Sequence, residues 1–348
     1  MRPGATAGRV TPVDEQHTRL MIDTLEEGLS HLQGEPVRVR AVRRERLPSL
    51  SSFQRERLRL TLENGTTLPV FLKDLNPDHQ TEKARAVRAR DLVPSSRELR
   101  MYQSVLSPER FGTLRLYAYR WDPDRRLFWI FLEDGGRMLL HNFVDMDRWT
   151  AAARWAARFH AAGRALGPSL VEFLPRYDHA HYRACAERVG AILPNLETPE
   201  RELVGRGLRR YARCVDRLAA LPPTVIHGQF FGRNVMLRRG TGERRIVVID
   251  WETAALGPGT FDLVSLTSGK WTDEERQAMR LAYFEQLQPE TGQPLDWEAF
   301  CRELAAVALY QSLEWLAWWG RHRALSRGFA TFRNELARVL EDPFSQDG

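Results

Sequence analysis

The sequence predicts an α+β chain whose strands come ahead of its helices, and three observations carry that prediction. From Val37 to Lys73, apolar residues recur with period two on either side of an Asn64-Gly65 pair, the signature of a β-hairpin. From Arg137 onward the pattern changes to the apolar stripes of helices. Short apolar runs bounded by glycine, proline and aspartate return between His227 and Asp262.

Taken in order, Thr11-Pro12 precedes a patterned run (Leu20, Ile22, Leu25, Leu29, Leu32) that Gly34 ends. A cap, a proline at the first position and a glycine terminator define a helix, so residues 1–35 are expected to form an N-terminal helical extension. VRVRAV, RLRLTL and TTLPVFLK then read as three antiparallel strands, with Pro69 placed where the third makes no ladder bond. The loop between the first two, Leu47 to Phe53, is LPSLSSF and holds no glycine. Residues 74–93 are polar and fit a connector or a short surface helix. Ser95-Ser96 can cap a helix containing Glu98, Leu99 and Tyr102. LRLYAYRW and RLFWIFLE are two more strands split at Asp122-Pro123-Asp124, and the second runs into Glu133-Asp134-Gly135-Gly136.

Residues 146–163 place Trp149, Ala153, Ala156 and Phe159-His160 on one helical stripe. Residues 166–195 show no clean period. An amphipathic helix follows over about Pro199 to Ala220, and Leu221-Pro222-Pro223 leads into a strand ending at His227. Three further helical segments fall near 273–287, 296–320 and 329–341. The middle one carries Tyr310, Trp315, Trp318 and Trp319, an aromatic stripe expected in the core, with a cage for a cationic or planar substrate as the other reading. There is no internal repeat.

The composition, 43% hydrophobic and 28% charged over 348 residues, is that of a globular protein with one large two-lobed domain or two ordinary ones. The net charge of +6 does not call for a nucleic-acid partner, because lysine occurs only at 73, 83 and 270 and the arginine excess fits GC-rich codon usage. Cys185, Cys214 and Cys301 are odd in number and widely spaced, as buried thiols in a reducing compartment would be. MRPGATAGRVTPVDEQ lacks an apolar h-region, and no stretch approaches ~18 uninterrupted apolar residues. The expectation is a cytoplasmic protein without a membrane partner.

The densest chemistry lies in HGQFFGRN at 227–234 and in IVVID at 246–250. Val235 to Leu237 and Ile246 to Ile249 read as strands turned back on each other at Gly240-Thr241-Gly242. Side by side they would present the amide oxygen of Asn234 and the carboxylate of Asp250 to one Mg²⁺, a hard cation that takes oxygen ligands and a substrate phosphate.

This layout resembles the aminoglycoside phosphotransferase and choline kinase family, relatives of the protein kinases. The family pattern is H-G-D-x-x-x-x-N, then a strand ending in D, then G-x-x-x-x-D, and this chain supplies His227, Gly228, Asn234, Asp250 and Asp262 in that order. Position 229 departs from it: Gln229 stands where the pattern has the catalytic Asp, and a neutral amide cannot take a proton. The segment A-R-F-H-A ending at Ala161 resembles the family's L-H-A signature.

The resemblance implies a bilobal protein kinase-like fold. A small nucleotide-binding lobe of antiparallel sheet plus helix would span 36–134, and a larger, mainly helical lobe with the catalytic loop and acceptor pocket would span 135–348. It implies ATP or GTP with Mg²⁺. Lys73 would grip the phosphates, held by Glu98, while Ser51 and Ser52 cover them through backbone N–H groups and hydroxyls. Backbone groups around Phe131 to Glu133 would read the adenine edge, with the paired glycines as hinge. His227 would brace the loop, Gln229 orient the acceptor hydroxyl, Asn234 and Asp250 hold the metal, and Asp262 accept backbone N–H bonds.

Glu252, on the face of Asp250 by strand alternation, is the nearest spare carboxylate. His160 would be a packed histidine making one hydrogen bond, and residues 166–195 would contribute to the acceptor pocket. The implied function is phosphoryl transfer to a hydroxyl of a small molecule, weakened or narrowed by Gln229. The alternatives are a kinase for Ser or Thr hydroxyls of a peptide substrate, and a nucleotide-binding pseudokinase that serves a partner protein as an interaction module.

Overall fold

The structure is a computed structural model that describes residues 12–47, 53–80, 94–238, 245–292, 294–321 and 327–345. The chain divides into two compact units: Met1–Leu99 with Leu114–Gly135, and Arg100–Thr113 with Gly136–Gly348.

In the first unit, α1 (Pro12–Gln33) starts at the expected proline and stops before Gly34, whose φ of 74° only glycine adopts freely. Met21, Leu25 and Leu29 are spaced four apart and all buried, so one stripe of α1 faces the sheet. Gly28 lies on the same side. A Cβ there would stand 2.4 Å from the carbonyl oxygen of Tyr117 and 2.6 Å from the Cβ of Ala118, so the helix comes this close to the sheet only because it is glycine.

The sheet holds β1 (Val39–Arg46), β2 (Gln54–Leu62), β3 (Thr67–Asp74), β4 (Leu116–Asp122) and β5 (Leu127–Glu133), in the antiparallel order β1-β2-β3-β5-β4. Asn64-Gly65 makes the predicted turn, with Gly65 at φ 83° and Asn64 Oδ1 accepting the Thr66 N–H at 2.9 Å. Pro69 pairs in register with Arg59 of β2, while the ladder to β5 begins one residue later at Val70. Its missing N–H therefore costs the central strand nothing. By alternation Leu58, Leu60, Val70, Leu72, Trp129 and Phe131 join α1 in one apolar core. Lys73 projects from the other face.

The second unit is mainly helical: α2 (Arg97–Ser104, which begins in the first unit), α3 (Pro108–Phe111), α4 (Met146–Arg164), α5 (Pro168–Val171), α6 (His179–Ile192) and α7 (Thr198–Ala220), then α8 (Thr260–Thr267), α9 (Asp273–Thr291), α10 (Trp297–Arg321) and α11 (Arg327–Glu341). Two small antiparallel sheets lie within it, β6 (Thr224–Ile226) with β9 (Ala255–Gly257), and β7 (Val235–Arg238) with β8 (Arg245–Val248).

Helix α6 falls where no clean periodicity was expected. Asp178 caps it by accepting the His181 N–H at 2.9 Å, and Tyr182, Cys185, Val189 and Ile192 form its buried stripe, hidden in the sequence among histidines and small residues. Helix α9 runs past its expected end to Thr291, carrying Pro289 in its last turn. All three cysteines are buried and free. Among the described residues no helix is long and apolar enough to cross a membrane.

Candidate active site

In the first unit, alternation along β3 turns Lys73 away from the α1 core and toward Glu98 in the first turn of α2. Nζ and Oε2 meet at 2.5 Å, with the two side chains 8% and 2% exposed. The Phe53 ring lies 5.9 Å from the same Nζ, and the β2–β3 register sets Arg55 beside Lys73 on this face. Phe53 ends the loop expected to cover the phosphates, whereas no sequence signal marked Arg55. The Arg of Gln54-Arg55 belongs to an alternating run whose facing direction only the register fixes. Ser51 and Ser52 lie outside the described residues.

Phe131 is wholly buried in the α1 core, with its backbone between Leu72 of β3 and Ala118 of β4. The Glu133 N–H donates to the Arg115 carbonyl at 2.8 Å, so it is already occupied inside the unit. Beyond it, Asp134 pairs with Arg57 at 3.0 Å and Gly136 takes φ 97°, a turn only glycine makes without strain.

In the second unit, the pairing of β6 with β9 sets the loop that starts at His227. The His227 N–H donates to Asp262 Oδ2 at 2.6 Å and the Gly228 N–H to Asp262 Oδ1 at 2.9 Å. The imidazole of His227 is fixed as one tautomer by its partners. Nδ1 accepts the Gln229 N–H at 3.2 Å, so Nε2 carries the hydrogen donated to the Ile249 carbonyl at 2.9 Å. Gly228 has φ 82°, and a Cβ there would lie 2.3 Å from the Thr253 carbonyl oxygen. The loop thus requires glycine at 228 and a carboxylate at 262.

The same carboxylate takes a third donor, His160 Nε2 at 3.0 Å, while His160 Nδ1 meets the Tyr283 hydroxyl at 2.9 Å. The expected packed histidine makes two hydrogen bonds rather than one. Burial pushes the Tyr283 phenol far up, so it stays a neutral donor and His160 Nδ1 the acceptor. Tyr283 lies 123 residues from His160 on an ordinary amphipathic helix, and no sequence signal marked it.

Gln229 is half-buried, and its side-chain amide has no hydrogen-bond partner among the described residues. Its carbonyl accepts the Asn234 Nδ2–H at 3.0 Å. That bond uses the amide nitrogen of Asn234 and leaves Oδ1 as its open atom. The Asn234 carbonyl in turn accepts the Ile249 N–H at 3.0 Å, so the β7–β8 pairing sets Asn234 across from the residue just before Asp250.

Asp250 has φ 69° and ψ 61°, and only it and Arg126 among the described non-glycine residues have positive φ. A non-glycine residue in this left-handed region is strained, and such strain gathers at functional sites. Strand β8 ends at Val248 and residues Trp251–Thr253 form a 3-10 turn, so strand alternation does not set Glu252 on the face of Asp250 as expected.

The donor set suits a hard cation, with one amide oxygen and one carboxylate. Among the described residues no group of three or more His, Cys, Asp or Glu could hold a metal ion by itself. Two protein oxygens leave most of a Mg²⁺ coordination sphere to phosphate and water, the usual arrangement for that ion in nucleotide sites.

The aromatic stripe of α10 splits in two. Tyr310 is buried among Tyr177, Tyr182, Tyr211 and Phe261, the core role expected. Trp315 is only half-buried, and its ring lies 5.8 Å from Phe231 of the loop that starts at His227.

This combination of an antiparallel sheet carrying a buried Lys–Glu pair with a His-Gly loop fixed by a buried Asp defines a kinase-like phosphotransferase fold. The model of the phosphotransferase enzyme family matches residues 46–308, and the chain belongs to that family. Solved structures agree on the fold. The GDP complex of wild-type aminoglycoside 2′-phosphotransferase-IIIa is 14% identical with a TM-score of 0.58, covering 94% of this chain and 98% of that one. A choline/ethanolamine kinase family protein from Mesorhizobium loti is 16% identical with a TM-score of 0.56, covering 94% and 97%. A microcompartment-associated aminopropanol kinase is 16% identical with a TM-score of 0.56, covering 86% and 90%. No curated protein matches the chain.

Proposed function

We propose that this chain transfers the γ-phosphoryl group of ATP or GTP to a hydroxyl of a small molecule, with residues 36–134 acting as the nucleotide lobe and 135–348 as the lobe carrying the catalytic loop and acceptor pocket. The observation that carries the reading is the buried Lys73–Glu98 pair at 2.5 Å, since a lysine so held is a point charge ready for phosphate oxygens. Family membership and neighbours described as a GDP complex and an aminopropanol kinase support the nucleotide and the alcohol acceptor.

In this reading Asn234 Oδ1 and the Asp250 carboxylate hold Mg²⁺, which neutralises phosphate charge when bound. Arg55 adds a second cation on the Lys73 face. With the Glu133 N–H occupied and Phe131 inside the sheet, the backbone groups that read the base belong to Asp134 through Gly136. Half-buried Trp315 and Phe231, their rings inclined at 60°, offer the acceptor an apolar corner beside Gln229. The acceptor oxygen bonds to the γ-phosphorus as the bond to the β,γ-bridging oxygen breaks and the nucleoside diphosphate leaves. Gln229 Oε1 accepts the hydroxyl hydrogen bond and orients it. The proton itself passes to a phosphoryl oxygen or to water, because an amide does not take it.

A second reading, a nucleotide-binding module without transfer, is favoured by that same neutral Gln229. One pair of measurements separates the two: Mg²⁺-dependent nucleotide affinity, then turnover on a panel of small-molecule alcohols for the parent and for Gln229→Asp. Transfer predicts weak or narrow turnover in the parent and a gain of about 10²–10⁴ in the variant, the usual worth of a general base. Binding with no turnover in either protein supports the second reading. A folded protein that binds no nucleotide at millimolar Mg²⁺ overturns both.

A further inference from the structure

The neighbours of Lys73 in β3, Leu72 and Asp74, project to the opposite face of the sheet, where they line a cavity of about 240 Å³ contained wholly in the first unit. None of the chemistry proposed above uses it. Leu72 is 3% exposed and Trp129 1% exposed, so both give it an apolar surface. His17 of α1 lies against Trp129, their ring centroids 4.6 Å apart. About 150 Å³ already holds a benzene-sized ring, so the space admits an aromatic body with a polar substituent.

The polar lining is asymmetric. Its two carboxylates are buried and every oxygen is engaged. Glu56 takes Arg44 in a two-pronged pair at 2.7 and 2.8 Å, while Asp74 takes the Asn76 N–H at 3.0 Å on one oxygen and His79 Nδ1 at 2.5 Å on the other. The less committed groups carry N–H donors and no negative charge. Arg46 is 70% exposed and reaches Glu56 only at 3.6 Å. The Gln54 amide and both His17 ring nitrogens have no hydrogen-bond partner among the described residues. Burial, then Arg44, pushes His17 toward its neutral form, in which one nitrogen donates.

A cation finds only uncharged open acceptors here, the Gln54 amide oxygen and one His17 nitrogen, since both carboxylates are already paired, whereas an anion meets unused N–H donors and one guanidinium whose charge Glu56, already balanced by Arg44, does not cancel. We propose that this cavity is a second ligand site, separate from the phosphate-facing side of β3, that binds a small aromatic carboxylate with its ring against His17, Trp129 and Leu72 and its carboxylate on Arg46, Gln54 and His17.

The test is calorimetric titration of the full chain with benzoate, acetate and benzylamine, with and without saturating Mg²⁺ and ADP. Benzoate is expected to bind with Kd of about 1 mM or tighter. Acetate, which leaves the aromatic surface uncovered, is expected about tenfold weaker, with benzylamine showing no binding and ADP displacing none of the benzoate. Arg46→Ala with Gln54→Ala removes two exposed side chains and is expected to weaken benzoate about tenfold or more at an unchanged melting temperature, while Lys73→Ala leaves it unaltered. No benzoate binding up to about 10 mM, benzylamine bound as well as benzoate, displacement by ADP, or full retention in the double variant would each overturn the proposal.

Discussion

Two buried acids organise the two units, and they are answered in opposite ways. Glu98, 2% exposed, meets a full positive charge on Lys73 at 2.5 Å. Asp262, 1% exposed, meets three N–H donors instead: two from the backbone of the His-Gly loop and one from a histidine that is itself held by a tyrosine. An ion pair fixes two side-chain heads and leaves the backbone to the sheet and helix around it. A carboxylate gripping consecutive backbone N–H groups fixes the path of the chain. The first arrangement holds a charge at a fixed point on the sheet, and the second sets a loop whose residues must keep one geometry.

The largest expected effect is at Asp262. Asp262→Ala leaves the N–H groups of His227 and Gly228 and the Nε2–H of His160 without an acceptor. At about 1.5–3 kcal/mol for each bond to a charged group, with relaxation and water offsetting part, it should cost about 4–6 kcal/mol in urea unfolding. No second substitution should recover this, because two of the three orphaned donors are backbone. A loss below about 1 kcal/mol would show that the loop holds its path without the carboxylate.

Glu98→Ala strands the Lys73 ammonium in a buried site and should cost about 3–5 kcal/mol. Here rescue is expected: Lys73→Met with Glu98→Leu should regain most of that stability, since apolar pairs of similar volume commonly replace buried ion pairs, while nucleotide affinity is lost. A double variant as unstable as Glu98→Ala would mean that the pair, like Asp262, is bound into a wider network.

The smallest effect sharpens the comparison at a half-exposed pair. The hydrogen bond to Asp74 raises the His79 pKa above its ordinary 6.5, outweighing burial. A raised folded-state pKa means that the stabilisation is complete below about pH 6.5 and is lost as pH rises through the higher folded value. With the His79 side chain 42% exposed, screening holds it to about 0.5 kcal/mol or less. Unfolding free energies measured from pH 6 to pH 9 should fall slightly in the parent relative to His79→Gln, and parallel curves would remove the pair from the stability balance.

Much of this molecule is legible from local pattern. Pro12 and Gly34 bound α1, Asn64-Gly65 turns β2 into β3, and Ile246–Asp250 marks the strand end that leads to the strained aspartate. These signals are steric or periodic and operate over a few residues, so tertiary context did not move them. Helix α6 was not legible, because its buried Tyr182, Cys185, Val189 and Ile192 are interleaved with histidine and alanine, and only the helices packed against them show that they face inward.

By itself the sequence determined the order of elements, the His-Gly-x-x-x-x-x-N loop with its Gln229, and the lysine that ends the apolar run of β3. Only the tertiary structure decided that Asp262 takes a third donor from a His160 backed by Tyr283, and that Leu72 and Asp74 open onto a cavity behind the lysine, while it brought together the Lys73–Glu98 pair that the resemblance implied. The first group follows from the covalent and conformational limits of neighbouring residues. The second depends on helix packing and on strand register, where a shift of one residue in β3 would turn Leu72, Lys73 and Asp74 each to the opposite face.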